Sequence, residues 1–285
     1  MTRTLLLTAF VIGTMPSLLA RADNAQKYLL RYKFQPNETV CWDVEHRSKV
    51  RATVSRTTQT TETLSKSLKC WRVFDVQPDG TTAFEHRVDW VDMRQKLTGR
   101  EEVHYDSRKD KKPPIGFETV AKSIGVPLAV VKMDTRGKVL QRERRGKKPS
   151  ETQQSLPENE SLLTIPLPEK PVAIGETWSL PQDFDIPLPA GTVKKVKAVQ
   201  QFTLEEVKTG VATIRFATEI LTPITDPAVE SQLVQRESAG RVRFDIDAGR
   251  ILSQQIDIDK HVVGFRGEAS SIHYVNRFSE HLVTQ

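Results

Sequence analysis

The residues of this 285-residue chain best equipped for chemistry are six histidines, two cysteines and a few paired acids. His46, His86, His104, His261, His273 and His281 are scattered along the chain. None forms an HxH or HExxH pair, so no metal site is expected. His104, Asp106 and Ser107 contain the ingredients of a nucleophile triad. Strand alternation, however, puts His104 and Asp106 on one face and Ser107 on the other, and no GxSxG elbow occurs. They read as strand-end polar residues, so no catalytic residue is assigned. Asp245 with Asp247, and Asp257 with Asp259, have a period-two spacing that calcium sites can use. The plainer reading is solvated strand faces beside turns. Gly264-Phe265-Arg266-Gly267 lacks the Lys-Ser/Thr signature of a phosphate loop, and no cofactor is expected.

The cysteines carry a more definite signal. Each precedes a tryptophan, Cys41-Trp42 and Cys70-Trp71, and a hairpin over Glu38–Val76 folded at Ser55-Arg56 brings the two together. In that register Glu45 meets Lys66, Lys49 meets Glu62, and Trp42 lies opposite Lys69. Directly opposed residues of antiparallel strands are close enough for such ion pairs and for a disulfide. A Cys41–Cys70 bridge is therefore predicted, the alternative being two unpaired thiols. Val40, Trp42 and Val44 share one parity with Trp71 and Val73, and the cysteines share the charged one. The two indoles thus project from an apolar face that the rest of the protein or a ligand must cover.

Arg3, the apolar run Leu5–Leu19 and Ala20-Arg21-Ala22 read as a secretory leader cleaved after Ala22, which gives the cysteines an oxidising compartment. Losing Arg3 and Arg21 lowers the formal charge from +6 to a mild +4. The excess concentrates in Arg108–Lys112 and Arg142–Lys148, which read as solvated connectors. No nucleic-acid partner is expected of an exported chain, nor a membrane span once the leader is removed.

Turn chemistry and period-two alternation make the remainder mainly β: two tandem antiparallel meanders or half-barrels with one or two short helices. The expected layout is a leader at 1–22, a first unit at 23–140 containing the hairpin at 38–76, a linker at 141–170, and a second unit at 171–285. Tyr28–Tyr32 reads as an edge strand, Phe117–Ile124 as a brief helix, and Pro223–Val234 as irregular or briefly helical. A short helix near Glu158–Leu163 is expected within the linker. Landmarks recur between the halves in the same order: Asn37-Glu38-Thr39 with Gly175-Glu176-Thr177, the Gly80 turn with the Gly210 turn, and Val131–Val139 with Val242–Ile251. Either a duplication or two meanders with shared turn chemistry accounts for this.

Asn37-Glu38-Thr39, Tyr105-Asp106-Ser107, the Asp134–Val139 hairpin and Pro171–Trp178, in that order, resemble a family of exported bacterial proteins of unknown function, frequent in planctomycetes. The resemblance spans most of residues 28–282 and supplies no catalytic residue. More distantly, the strand pattern is similar to periplasmic carriers that hold a lipid chain in a curved, half-closed sheet, though no diagnostic motif of those carriers is present. The expected function is a non-catalytic exported binding or scaffold protein of the cell envelope, its partner an apolar ligand or an envelope protein. A carrier of a lipid or apolar ligand in a half-barrel cavity is the alternative, and a hydrolase the third reading.

Overall fold

The computed structural model describes residues 26–145, 164–188 and 191–283. The expected leader lies outside them, as do residues 146–163 of the expected linker with its short helix. The chain runs β1 (Lys27–Tyr28), β2 (Thr39–Val54), β3 (Thr57–Val76), β4 (Thr82–Leu97), β5 (Val103–Asp106), α1 (Glu118–Ser123), β6 (Pro127–Met133), β7 (Val139–Arg144), β8 (Val172–Ala173), β9 (Thr177–Pro187), β10 (Val193–Lys208), β11 (Val211–Ile220), α2 (Pro227–Leu233), β12 (Ala239–Asp245), β13 (Arg250–Val263) and β14 (Ser271–Leu282). It is mainly β and antiparallel, with two short helices.

One 12-stranded sheet holds nearly everything, in the order β7-β6-β4-β3-β2-β14-β13-β12-β11-β10-β9, with β5 paired to β4. The first meander is β2-β3-β4-β6-β7 and the second β9-β10-β11-β12-β13. β14 joins them by pairing with both β13 and β2. Each meander inserts its helix between its third and fourth strands.

The β2–β3 hairpin has the register that charge and cysteine placement dictate: Cys41 opposes Cys70 and the two are bonded. Lys49 reaches Glu62 at 2.8 Å and Lys66 reaches Glu45 at 3.5 Å. Ser55 and Arg56 turn the hairpin with φ of 48° and 66°, the paired positive values whose twist suits flanking strands.

The meanders match down to individual hydrogen bonds. Asn37 and Gly175 both have positive φ. Asn37 N donates to Val73 O and Val73 N to Glu38 O; likewise Gly175 N donates to Leu204 O and Leu204 N to Glu176 O. The Glu38 carboxylate accepts from Gln35 N, three residues upstream, as that of Glu176 does from Ala173 N. The ladder then slips by one residue at Val73/Asp75 in the first meander and at Leu204/Glu206 in the second.

The sheet curls, and the segment before β2 lies across its concave side. Tyr32 N donates to Thr135 O in the β6–β7 turn, and Lys33 N to Gly249 O in the β12–β13 turn. Those are corresponding turns of the two meanders. Gly137 and Gly249 sit there at φ of 83° and 63°, so close that an added Cβ would lie 2.7 Å from the Tyr32 ring and 2.6 Å from Lys33 N. Leu30, Tyr32 and Phe34 are buried. Tyr28–Tyr32 is therefore not an edge strand of the sheet: after the two-residue β1–β8 ladder Leu30 and Tyr32 fill the core, Leu29 stays exposed, and Tyr32 N bonds to the β6–β7 turn.

The main core joins both meanders, with Trp42, Trp71, Phe84 and Val131 meeting Phe202, Ile214 and Phe244. The indoles of Trp42 and Trp71 lie 4.9 Å apart edge to face, and Trp71 stacks on Phe84 at 4.4 Å. Protein thus covers the indole face, and truncating either ring would cost about 3–5 kcal/mol. Trp42 Nε1 donates to Ile251 O at 2.9 Å, tying β2 to the start of β13. Both helices lie on the concave side. Phe117 at the start of α1 packs with Val91 and Tyr105, while Val229 and Leu233 of α2 pack with Ile186 and Val196.

β9 has no counterpart among the expected strands. Pro181 and Pro187 conceal it, and its position at the end of the sheet order explains why both are tolerated there.

Candidate ligand cavity

Between the regions covered by the two helices the concave face is not filled. A cavity of about 250 Å³ remains, floored by β2, β3, β13 and β14 and closed by residues of β10, β11 and the segment after α2. Strand alternation decides which side chains point to the concave side. On β2 the inward residues after Trp42 are Val44 and His46; on β3, before Trp71, they are Lys69, Ser67 and Ser65. On β14 they are Tyr274, Asn276, Phe278 and Glu280, and on β13 Gln254, Ile256 and Ile258. The same period-two rule that packs one end of the face with indoles supplies hydroxyls and amides to the middle.

The lining mixes apolar walls (Val44, Phe216, Ile256, Phe278) with neutral hydrogen-bonding groups (Ser65, Ser67, Gln200, Gln235, Asn276). Among the described residues lining it there is no Asp, Glu, Lys or Arg. Burial lowers the basicity of His46, which keeps its imidazole neutral at pH 7, and its Nε2 meets Asn276 Oδ1. Burial likewise pushes the Tyr274 phenol up to about 12.

At one end of the cavity a charge pair is sealed in. Lys69 and Glu280 are 8% and 1% exposed and bond to one another, and Gln254 Nε2 donates to Glu280 Oε1 at 2.8 Å. The Lys69 ammonium also lies 4.9 Å from the ring centre of Trp42 and 5.6 Å from that of Trp71, where the π faces favour a cation. On the next strand the His86 imidazole is depressed to about 3, first by burial and then by the neighbouring positive charges of Lys69 and Arg142. The pair is internally neutral, so the cavity beside it presents no net charge.

Of the residues first singled out for chemistry, His46 lines the cavity and the others lie elsewhere. His104 Nε2 meets Asp92 at 2.8 Å on the opposite face of the sheet. Asp106 accepts from Arg108 at 2.9 Å, and these hydrogen bonds hold its carboxyl well below the usual range. The Ser107 hydroxyl accepts from Val91 N. Each member of the sequence triplet therefore has its own partner. Asp245 caps the turn that follows it, accepting from Asp247 N and Ala248 N, and Asp257 pairs with Arg277 at 2.6 Å. His261 and His273 face each other across β13 and β14, with His273 bonded to Asp259 at 2.7 Å. Among the described residues no group of three or more metal-ligating side chains is assembled. Arg108, at the start of the first basic run, also stacks over Trp90 at 4.0 Å.

Sequence reading did not single out Glu280, Gln254 or Asn276, and named His46 only as one of six scattered histidines. The available signal was parity: Lys69 shares a face with Trp42, and Glu280 lies between inward-facing Phe278 and Leu282. A charge on the apolar parity of a strand demands a buried partner.

The chain matches no protein-family model and no curated protein. No helix among the described residues is long and apolar enough to cross a membrane.

Proposed function

We propose that the chain is an exported, non-catalytic binding protein whose working surface is the concave face of its sheet, where it holds a small uncharged ligand. The observation that carries this is the cavity of about 250 Å³ lined by aliphatic, aromatic and neutral hydrogen-bonding side chains. Ligand sites are concave, largely apolar and furnished with a few oriented polar groups, and at roughly 300–1,000 Å³ are generally somewhat larger than this cavity. The Cys41–Cys70 bridge is compatible with export to an oxidising compartment. The similarity of strand pattern to half-closed lipid carriers favours the same face, with a smaller and more polar ligand than an acyl chain. Turnover is not part of the proposal, because His104, Asp106 and Ser107 are each engaged with a separate partner.

The test is binding of the fluorescent apolar probe 1-N-phenylnaphthylamine to the mature protein and to Ser67→Phe, which places a ring in the cavity. Saturable binding by the parent, lost in Ser67→Phe with an unchanged melting temperature, is the expected result. Equal binding by both would remove the cavity from the account. Hydrolysis of ester, phosphate or glycoside substrates that vanished in His104→Ala would restore the hydrolase reading.

A further inference from the structure

We propose that the cavity takes a small cyclic amide, whose adjacent N–H and C=O are read together by the side-chain amide of Gln200. The inference rests on the binding reading above and assigns the ligand's chemistry. Gln200 lies on β10 with the parity of Ala198, Phe202 and Leu204, all buried on the concave side. It lines the cavity and is only 6% exposed. Neither of its amide atoms has a hydrogen-bond partner among the described residues, and both stay open to contact, whereas Gln254 Oε1 is sealed. The little surface that Gln200 keeps is thus turned to the cavity. Buried side-chain amides are as a rule hydrogen-bonded, so one left facing a cavity marks the place of a partner.

A primary amide holds its oxygen and one N–H side by side in a plane, so it offers an acceptor and a donor in the same direction. Its complement also carries donor and acceptor side by side, which is how glutamine pairs at two points with an adenine edge. A carboxylate lacks the donor, and an open-chain amide, being trans, points its N–H and C=O apart. A small ring forces the amide cis and brings both groups to one edge. With no charged side chain among the described lining residues, an ionised ligand would lose its hydration without gaining a counter-ion. The walls of Phe216, Ile256 and Phe278 suit the methylenes of the ring.

The experiment is displacement of 1-N-phenylnaphthylamine from the mature protein by three compounds: ε-caprolactam, ε-caprolactone, and 6-aminohexanoate, the ring-opened and zwitterionic form of the lactam. Lactam and lactone are rings of the same size that differ in the one N–H donor. Caprolactam should displace at a concentration about 10-fold lower than caprolactone, the worth of one well-placed hydrogen bond, with 6-aminohexanoate weakest. In Gln200→Met, which keeps the length of the side chain but not its amide, the lactam should fall to the level of the lactone. Equal displacement by lactam and lactone in the parent would overturn the reading of the amide edge while leaving cavity binding intact. The zwitterion displacing best would overturn the preference for an uncharged ligand. A bound probe that none of the three displaces would overturn the cyclic amide alone, and a probe that does not bind at all would overturn the binding reading itself. The ligand series on the parent protein decides the question even if the Gln200 variant fails to fold.

Discussion

The two meanders share an entry motif, a strand order, a helix position and a ladder slip, yet they spend equivalent sites on different chemistry. Aligning Val73 with Leu204 through their shared hydrogen bonds sets Trp71 against Phe202, Lys69 against Gln200, and His86 against Phe216. It also sets the Cys41–Cys70 pair against Ser179 and Gln201, which face each other at the same rung. The second meander is neutral at each of these places; the first has a cation, an imidazole and a covalent bridge. At these sites only the first meander buries a charge. The partner for that charge comes from outside the repeat, from Glu280 on β14, a strand that belongs to neither meander. A repeat can therefore diverge in its core where a neighbouring element compensates.

Breaking that compensation should produce the largest effect. Glu280→Leu leaves the Lys69 ammonium buried without a counter-charge and should cost about 3–5 kcal/mol in urea unfolding. The double variant Lys69→Gln with Glu280→Gln gives the first meander the neutral residue of the second and should recover most of the loss. If the double variant is no more stable than Glu280→Leu, the pair is not the source of the dependence.

Removing the bridge in the same spirit, by Cys41→Ser with Cys70→Gln, should cost about 2–4 kcal/mol, because the unfolded chain regains a loop whose ends are 29 residues apart. An unchanged unfolding midpoint under oxidising conditions would show that the hairpin register suffices without the bond.

The shared clasp offers a symmetric test. Gly137→Ala and Gly249→Ala should each lose about 2 kcal/mol, combining left-handed backbone strain with collision against Tyr32 or Lys33. Gly99 also has positive φ but nothing within 4 Å of an added Cβ, so its alanine variant should show the strain alone, about 1 kcal/mol. Equal losses at all three sites, read by thermal unfolding, would separate the turns from the segment they hold.

The smallest effect at neutral pH is expected from His86→Phe, the residue found at the matching site. The native imidazole is depressed to about 3 from an ordinary value near 6.5, so the unfolded chain binds the extra proton first. Its contribution to stability is complete above about pH 6.5 and is lost as pH falls towards 3. Carboxylates held low, such as Asp106 and Glu45, also weaken the fold in acid, so the readout is the difference between parent and variant. The variant should unfold at a lower pH than the parent; coincident acid transitions would place the proton elsewhere.

The sequence made the first meander legible where local rules apply. Opposed charges at Glu45/Lys66 and Lys49/Glu62 pin a register, and turn residues mark Gly80, Gly137 and Gly210. What escaped depends on long-range geometry. β9 hides behind Pro181 and Pro187, because an edge strand need not donate along its outer side. The Tyr28–Tyr32 segment alternates like a strand but spends that alternation on filling the curl. The cavity was illegible for the same reason: Gln254 and His46 come together only once the sheet has bent and β14 has entered between β13 and β2.

That late entry constrains how the molecule is assembled. β2 gains its neighbour β14 across more than two hundred residues of chain, so until the strand ending at Leu282 docks, a 16-residue edge stands open to any extended segment that passes. Contacts this distant in sequence form slowly, and the open edge is a site for mispairing between chains during that interval. Closing the Cys41–Cys70 bond early would hold the other side of β2 in register and leave a single edge to be matched. Thiol oxidation should therefore precede the last strand's arrival in productive refolding, and reducing conditions should divert the chain into aggregates before they reduce the stability of molecules already folded.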